Sequence, residues 1–171
     1  MKRIFFTLTL LLSVGLTSSI AQEKYGHVNF SGLIAQMTET KAADSELEAY
    51  QKQLIAAGEK MAKEFQGKVT KFQNDIQGGG VTPKDQAERE KALGAEQQKI
   101  LAYEQEIQQK LGAKREELLK PIVEKAQKAI EEYAKANGYG MVFDTSLFNS
   151  VLFAQDSDDL MPALKTKLGI K

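Results

Sequence analysis

The chain has 171 residues, with 23 Lys and Arg against 23 Asp and Glu, one His and no Cys. It can form no disulfide framework and carry no cysteine-linked lipid, and so even a charge balance leaves no footprint for nucleic acid. Stability has to come from packing or from association of chains.

The first stretch, MKRIFFTLTLLLSVGLTSSIAQ, places Lys2 and Arg3 before an apolar run from Ile4 to Leu16 and ends on Ser19-Ile20-Ala21. This is the order of a secretory signal peptide over residues 1–21, with an apolar run too short for a membrane anchor. The mature chain is expected to begin at Gln22. Without Lys2 and Arg3, 21 basic residues face 23 acidic ones; Gln51 to Gly138 holds 16 against 14, and the flanking segments are acidic.

Next, YGHVNF (Tyr25 to Phe30) reads as a strand, and SGLIAQM opens a helix with Ser31 as its N-cap. From Lys41 to Gln77 the apolar residues Leu47, Tyr50, Leu54, Met61, Phe65, Val69, Phe72 and Ile76 recur every three or four positions, which predicts a helix with one apolar stripe. GGGVTPKDQ interrupts it. Gly78, Gly79 and Gly80 end the helix, and Thr82 with Pro83 caps and starts another, so the turn falls at 78–82. A second stripe, Leu93, Ile100, Tyr103, Ile107, Leu111, Leu118, Ile122, Ala129 and Tyr133, runs to Asn137-Gly138, a C-cap. Two helices with matching stripes and a tight turn form an antiparallel helical hairpin, an arm spanning 41–137.

Only 20 of the 86 residues from Lys52 to Asn137 are Val, Ile, Leu, Met, Phe or Tyr, enough for one seam but not for a globular core. The arm must project from a body. YGMVFDTSLFNSVLFAQ, Tyr139 to Gln155, reads as a β-hairpin, and with Tyr25 to Phe30 it makes three short strands within a body of residues 22–40 and 138–171. The fold class is therefore α+β: a coiled-coil arm on a small β body. Such a sheet has little core, so several copies are expected to close together. Val28, Phe30, Val142, Phe143, Val151 and Phe153 are the candidate assembly residues.

Few residues suggest chemistry. His27 lies alone in a strand, and a metal site needs several ligands. Glu116-Glu117, Glu131-Glu132 and Asp158-Asp159 point to different helix faces or sit in a loop, and GGGVTPKD lacks the Lys-Ser/Thr of a phosphate-binding loop. No enzyme, cofactor or metal is expected. Leu119, Val123, Ala126 and Ile130 form a band beside the second stripe and face either neighbouring subunits or the chain's own helix at Ser31 to Met37. Ile55 and Leu101 stand outside the stripes, either as isolated surface residues or as part of a weak wall that contacts a bound partner. Pro121 falls inside a helical pattern, where the lost hydrogen bond predicts a kink and a candidate hinge. Gly58, Gly67, Gly94 and Gly112 weaken the arms further.

VNFSGLIAQM, the long Ala/Gln/Glu/Lys hairpin, and PIVEKAQKAIEEYAKANGYGMVFDTS (Pro121 to Ser146) followed by a Leu-rich C-terminal helix resemble the OmpH/Skp family of periplasmic chaperones. The resemblance implies a homotrimer in the periplasm whose arms enclose a cavity that holds unfolded outer-membrane β-barrel proteins without ATP. The best-known members are strongly basic. Here Lys68, Lys71, Lys84 and Arg89 near the tip are offset by Asp75, Asp85, Glu88 and Glu90, and contact of the tips with membrane stays open. The alternative is a structural coiled-coil spacer or adaptor of the cell envelope.

Overall fold

A computed structural model of the chain describes residues 23–170, and the leader at 1–21 lies outside the described residues. In chain order the elements are β1 (Lys24–Val28), α1 (Phe30–Gln36), α2 (Thr38–Gln77), α3 (Pro83–Asn137), β2 (Tyr139–Asp144), a 3-10 turn (Asp156–Asp158) and α4 (Met161–Leu168). The helical arm projects from a small body built by the two ends of the chain.

The 40 residues of α2 and 55 of α3 correspond to rods of about 60 and 80 Å. Their caps are local. The Asp85 N–H donates to Thr82 Oγ1 at 3.2 Å and the Thr82 hydroxyl donates back to Asp85 Oδ2 at 2.7 Å. Pro83 occupies the first helical position, where its missing N–H costs nothing. At the turn, Gly78 is the C-cap of α2 and Gly79, at φ 71°, makes the reversal in a backbone region that disfavours other residues. Gly138, at φ 73°, ends α3 in the same way.

The seam holds the two stripes against each other, with most of its residues half-buried because one helix can cover only one side of another. Tyr103 lies over Gly58, where a Cβ would meet the ring at 3.4 Å, and its hydroxyl donates to the Leu54 carbonyl at 3.2 Å. Gly58 therefore serves packing, whereas Cβ atoms at Gly67, Gly94 and Gly112 would meet only open space. Ion pairs set the register of the arm: Lys114 with Glu46 (2.8 Å), Lys68 with Glu96 (2.6 Å), Arg89 with Asp75 (2.7 Å) and Lys125 with Glu39.

Two apolar clusters anchor the arm to the body. Val28, Leu33, Leu160 and Leu164 form one, against which Ile130, Tyr133, Tyr139 and Val142 pack. Met37, Ala43, Ile122 and Ala126 form the other, flanked by Phe30, Ile34, Leu118 and Leu119. Of the band beside the α3 stripe, Ala126 is buried within the cluster around Met37, at the end of α1, and Leu119 packs against that cluster. Ile130 packs into the cluster shared with β1 and α4.

Three local expectations are corrected. The N-cap of α1 is Asn29, not Ser31: its Oδ1 accepts the Gly32 N–H at 2.7 Å, so the strand ends at Val28 and Phe30 is already helical. Among the described residues there are two strands rather than three, and they run parallel, with Tyr25 opposite Met141 and Val28 opposite Asp144. A parallel pair needs a crossover instead of a turn, and the whole arm is that crossover. Finally, Val151 to Ala154 forms no strand and Tyr139 to Gln155 no hairpin. One edge of β1 is taken by β2. The other is met by the segment between the 3-10 turn and α4, through the Leu160 N–H donating to the His27 carbonyl at 2.9 Å and a bridge from His27 to Asp159. Meanwhile Ser150 ties the chain back to Asp144 and Leu147, with Asn149 at φ 59°, so the intervening run bends away from β2.

Candidate binding surfaces of the body and the arm

The sheet has two unlike faces. A register shift between Lys24 and Tyr25 leaves Gly140 as an extra residue in β2, so Gly26, Val28, Tyr139 and Val142 share the inner face. Gly26 is closely packed there: a Cβ would come within 2.9 Å of Leu160 Cδ1. Tyr25, His27, Met141 and Phe143 point outward, and the Tyr25 and Phe143 rings stand 6.5 Å apart. In the loop after β2, Phe148, Leu152 and Phe153 are 95, 90 and 82% exposed, and Phe153 lines a groove with Tyr25, His27 and Phe143. A groove of about 450 Å³ runs along β2 against α3, lined by Phe30, Ile130, Ala134, Met141 and Val142 among others.

The six candidate assembly residues therefore separate. Val28 is buried in the chain's own core, and Val142 packs against it. Phe30 is half-buried between the second cluster and the groove. Val151 is half-buried, while Phe143 and Phe153 are exposed. Sequence reasoning passed over Tyr25, Met141, Leu147, Phe148 and Leu152. The alternation of β1, with Gly26 and Val28 on one side and Tyr25 and His27 on the other, was the available signal for Tyr25.

Asp144 ties the end of β2 to the start of α1. Its Oδ1 accepts the N–H of Phe30 at 3.1 Å and of Ser146 at 2.8 Å. Burial acts to raise its carboxyl, but the bonds from Ser146 and Phe30 outweigh it and hold the group below its ordinary value. His27 Nε2 lies 3.1 Å from the Gln155 carbonyl. Among the described residues no group of three or more His, Asp or Glu side chains is placed to hold a metal, and no helix is long and apolar enough to cross a membrane.

On the arm, Ile55 and Leu101 are 44 and 47% exposed. Pro121 is exposed, and α3 runs through it without a break.

Over residues 24–168, from the start of β1 to the end of α4, the chain matches the family model described as outer membrane protein (OmpH-like). The chain belongs to the OmpH/Skp family of chaperones. A relative within reach of the OmpH/Skp pattern is the chaperone protein Skp of Pectobacterium atrosepticum, 25% identical over 140 residues, covering 82% of each chain. Among solved structures, an OmpH-like protein from Caulobacter crescentus superposes with a TM-score of 0.74 at 14% identity, covering 91% of this chain and 89% of the other. That likeness supports the OmpH/Skp fold of arm and body.

Proposed function

We propose that this protein is an ATP-independent periplasmic holdase. Three copies join through the open sheet faces and the exposed loops of their bodies, and their arms surround a space that holds unfolded outer-membrane β-barrel proteins and keeps them from aggregating. The leader at residues 1–21 directs export, after which the mature chain works in the periplasm. The observation that carries this reading is the apolar surface of the body, where Phe143, Phe148, Leu152 and Phe153 face water in a single chain. Apolar surface gathered in one place marks an association site. The arm beyond it has a single seam and makes few contacts outside itself, which suits a wall better than a core.

The test is a β-barrel protein diluted out of urea, with light scattering followed at one trimer per client and no nucleotide. Full-length protein is expected to suppress scattering. A variant lacking both 64–77 and 84–97 keeps the glycine turn and removes about four helical turns from each rod. It should remain a trimer, because contacts along the arm are local, and should lose most of its protection. Equal protection by the shortened protein would locate binding in the body, and a full-length protein without protection would favour the envelope spacer.

The arm must widen for clients of different size, and Pro121, near the body, is the proposed hinge. Pro121→Ala restores an N–H for the Glu117 carbonyl and removes a residue about 3 kcal/mol less favourable than Ala in a helix interior. Thermal stability is expected to rise with the trimer intact. Distances between spin labels at Gly80 of the three tips should form a broad distribution that narrows in the variant. A narrow distribution that merely shifts would indicate a fixed bend, and no change at all would remove Pro121 from the account.

A further inference from the structure

We infer that one long face of the arm, the face carrying Ile55 and Leu101, is the surface that receives the client, and that it favours extended segments in which apolar residues alternate with Lys or Arg. This rests on the holdase reading and adds to it which surface binds and what chemistry it selects.

The arm has two sides that differ in kind. At about 100° per residue, measured from Leu54 in the seam, Glu39, Glu46, Lys68 and Asp75 of α2 all turn about 40 to 80° in one sense. Each is bonded across to α3, to Lys125, Lys114, Glu96 and Arg89. The interhelical ion pairs thus lie on one face of the hairpin, which also holds the groove formed by Glu64, Lys68, Ala95, Glu96 and Lys99. Ile55 turns about 100° the other way from Leu54, and Leu101 about 100° from Ile100. Because the helices are antiparallel, these two rotations lead to the same side, opposite the ion pairs. Near the body this side is covered where Met37 and Ile34 join the cluster of Ala126 and Leu119; farther out, nothing among the described residues covers it.

Around Ile55 and Leu101 this side presents Gln51 and Gln66 from α2 and Gln97 and Gln108 from α3, at similar rotations. The free charges nearest Ile55 and Leu101 on this side are carboxylates. Glu59 and Glu104 make no ion pair among the described residues, while Glu48 is bonded to Lys52 at 2.7 Å. The nearest unpaired cation on this side, Arg115, lies about 12 Å beyond Ile55 toward the body. A segment bearing Lys or Arg therefore meets complementary charge here, and one bearing Asp or Glu meets repulsion.

The spacing selects an extended chain. The register of Glu46 with Lys114 and Lys68 with Glu96 sets Ile55 and Leu101 about 10 Å apart along the arm, and they stand on helices about 8 to 10 Å apart. The resulting separation of about 13 Å equals four residues of extended chain, so client residues i and i+4, on one side of a strand, reach both.

The experiment uses the full chain with two fluorescent peptides, one alternating Leu with Lys and one alternating Leu with Glu, alongside the urea-diluted β-barrel protein. The Lys peptide should bind at least about tenfold more tightly. Ile55→Ser with Leu101→Ser, both exposed and harmless to the seam, should weaken that binding and the protection of the β-barrel protein at least about tenfold, the loss expected from two apolar contacts. Lys60→Ser with Lys99→Ser, on the ion-paired side, should change neither. Equal affinity for the Glu peptide, or a loss confined to the Lys60/Lys99 variant, overturns the inference. If the Lys peptide binds through Ile55 and Leu101 but no unfolded protein is protected, the surface stands and the holdase reading falls.

Discussion

Phe143→Asp combined with Phe153→Asp is expected to turn the proposed trimer into folded monomers. Both side chains are exposed in the single chain, Phe143 on the open sheet face and Phe153 in the loop beside it, so the protomer loses little when they change. In an assembly that covers them, each Asp would be a buried charge without a partner, and such groups cost more than a small interface can offset. Sedimentation should report the mass of one chain, and circular dichroism should report unchanged helix content. An intact trimer would show that assembly uses another surface, and an unfolded chain would show that the two rings support the protomer itself. Val142→Asp cannot make this distinction, because Val142 packs on the inner cluster with Val28, Leu160 and Leu164; it would unfold the body whether or not the body assembles.

Leu164→Ala should remove about 3 to 5 kcal/mol of stability, the upper part of the range for a buried leucine. Leu164 is fully buried against Val28, Leu33 and Leu160, where α4 closes the body over β1 and α1. For a chain of this length that corresponds to a fall of about 10 °C in Tm. It should be measured by circular dichroism at fixed protein concentration, because the proposed assembly would make Tm depend on concentration. A loss below about 1 kcal/mol would mean that the cavity is filled by relaxation of α4, and that the C-terminal helix is not what holds the two ends of the chain together.

The arm was legible from the residues in order. The stripes from Leu47 to Ile76 and from Leu93 to Tyr133, the glycine turn, the Thr82 cap with Pro83 behind it and the Gly138 stop all occur in the structure within α2 and α3. A helix satisfies its backbone within four residues and shows its partner a face of fixed period, so local sequence contains nearly all the information. The OmpH/Skp resemblance carried by Pro121 to Ser146 was equally local.

The body was not legible in the same way. That Tyr139 to Asp144 would pair in parallel with Lys24 to Val28, and that Val151 to Ala154 would be left out, depended on where the arm returned and on which edge of β1 the segment before α4 reached first. A strand has two faces and two edges, and its own residues do not say which neighbour will take each. Hence Val28 and Phe143, alike in a list of apolar strand residues, end on opposite sides of one sheet: Val28 in the core, Phe143 in water. The sequence by itself determined the helices, their turn and their seam, because those interactions are short in range. Only the tertiary structure decided which apolar residues the chain keeps for its own core and which it leaves exposed, because that choice is made between segments more than a hundred residues apart.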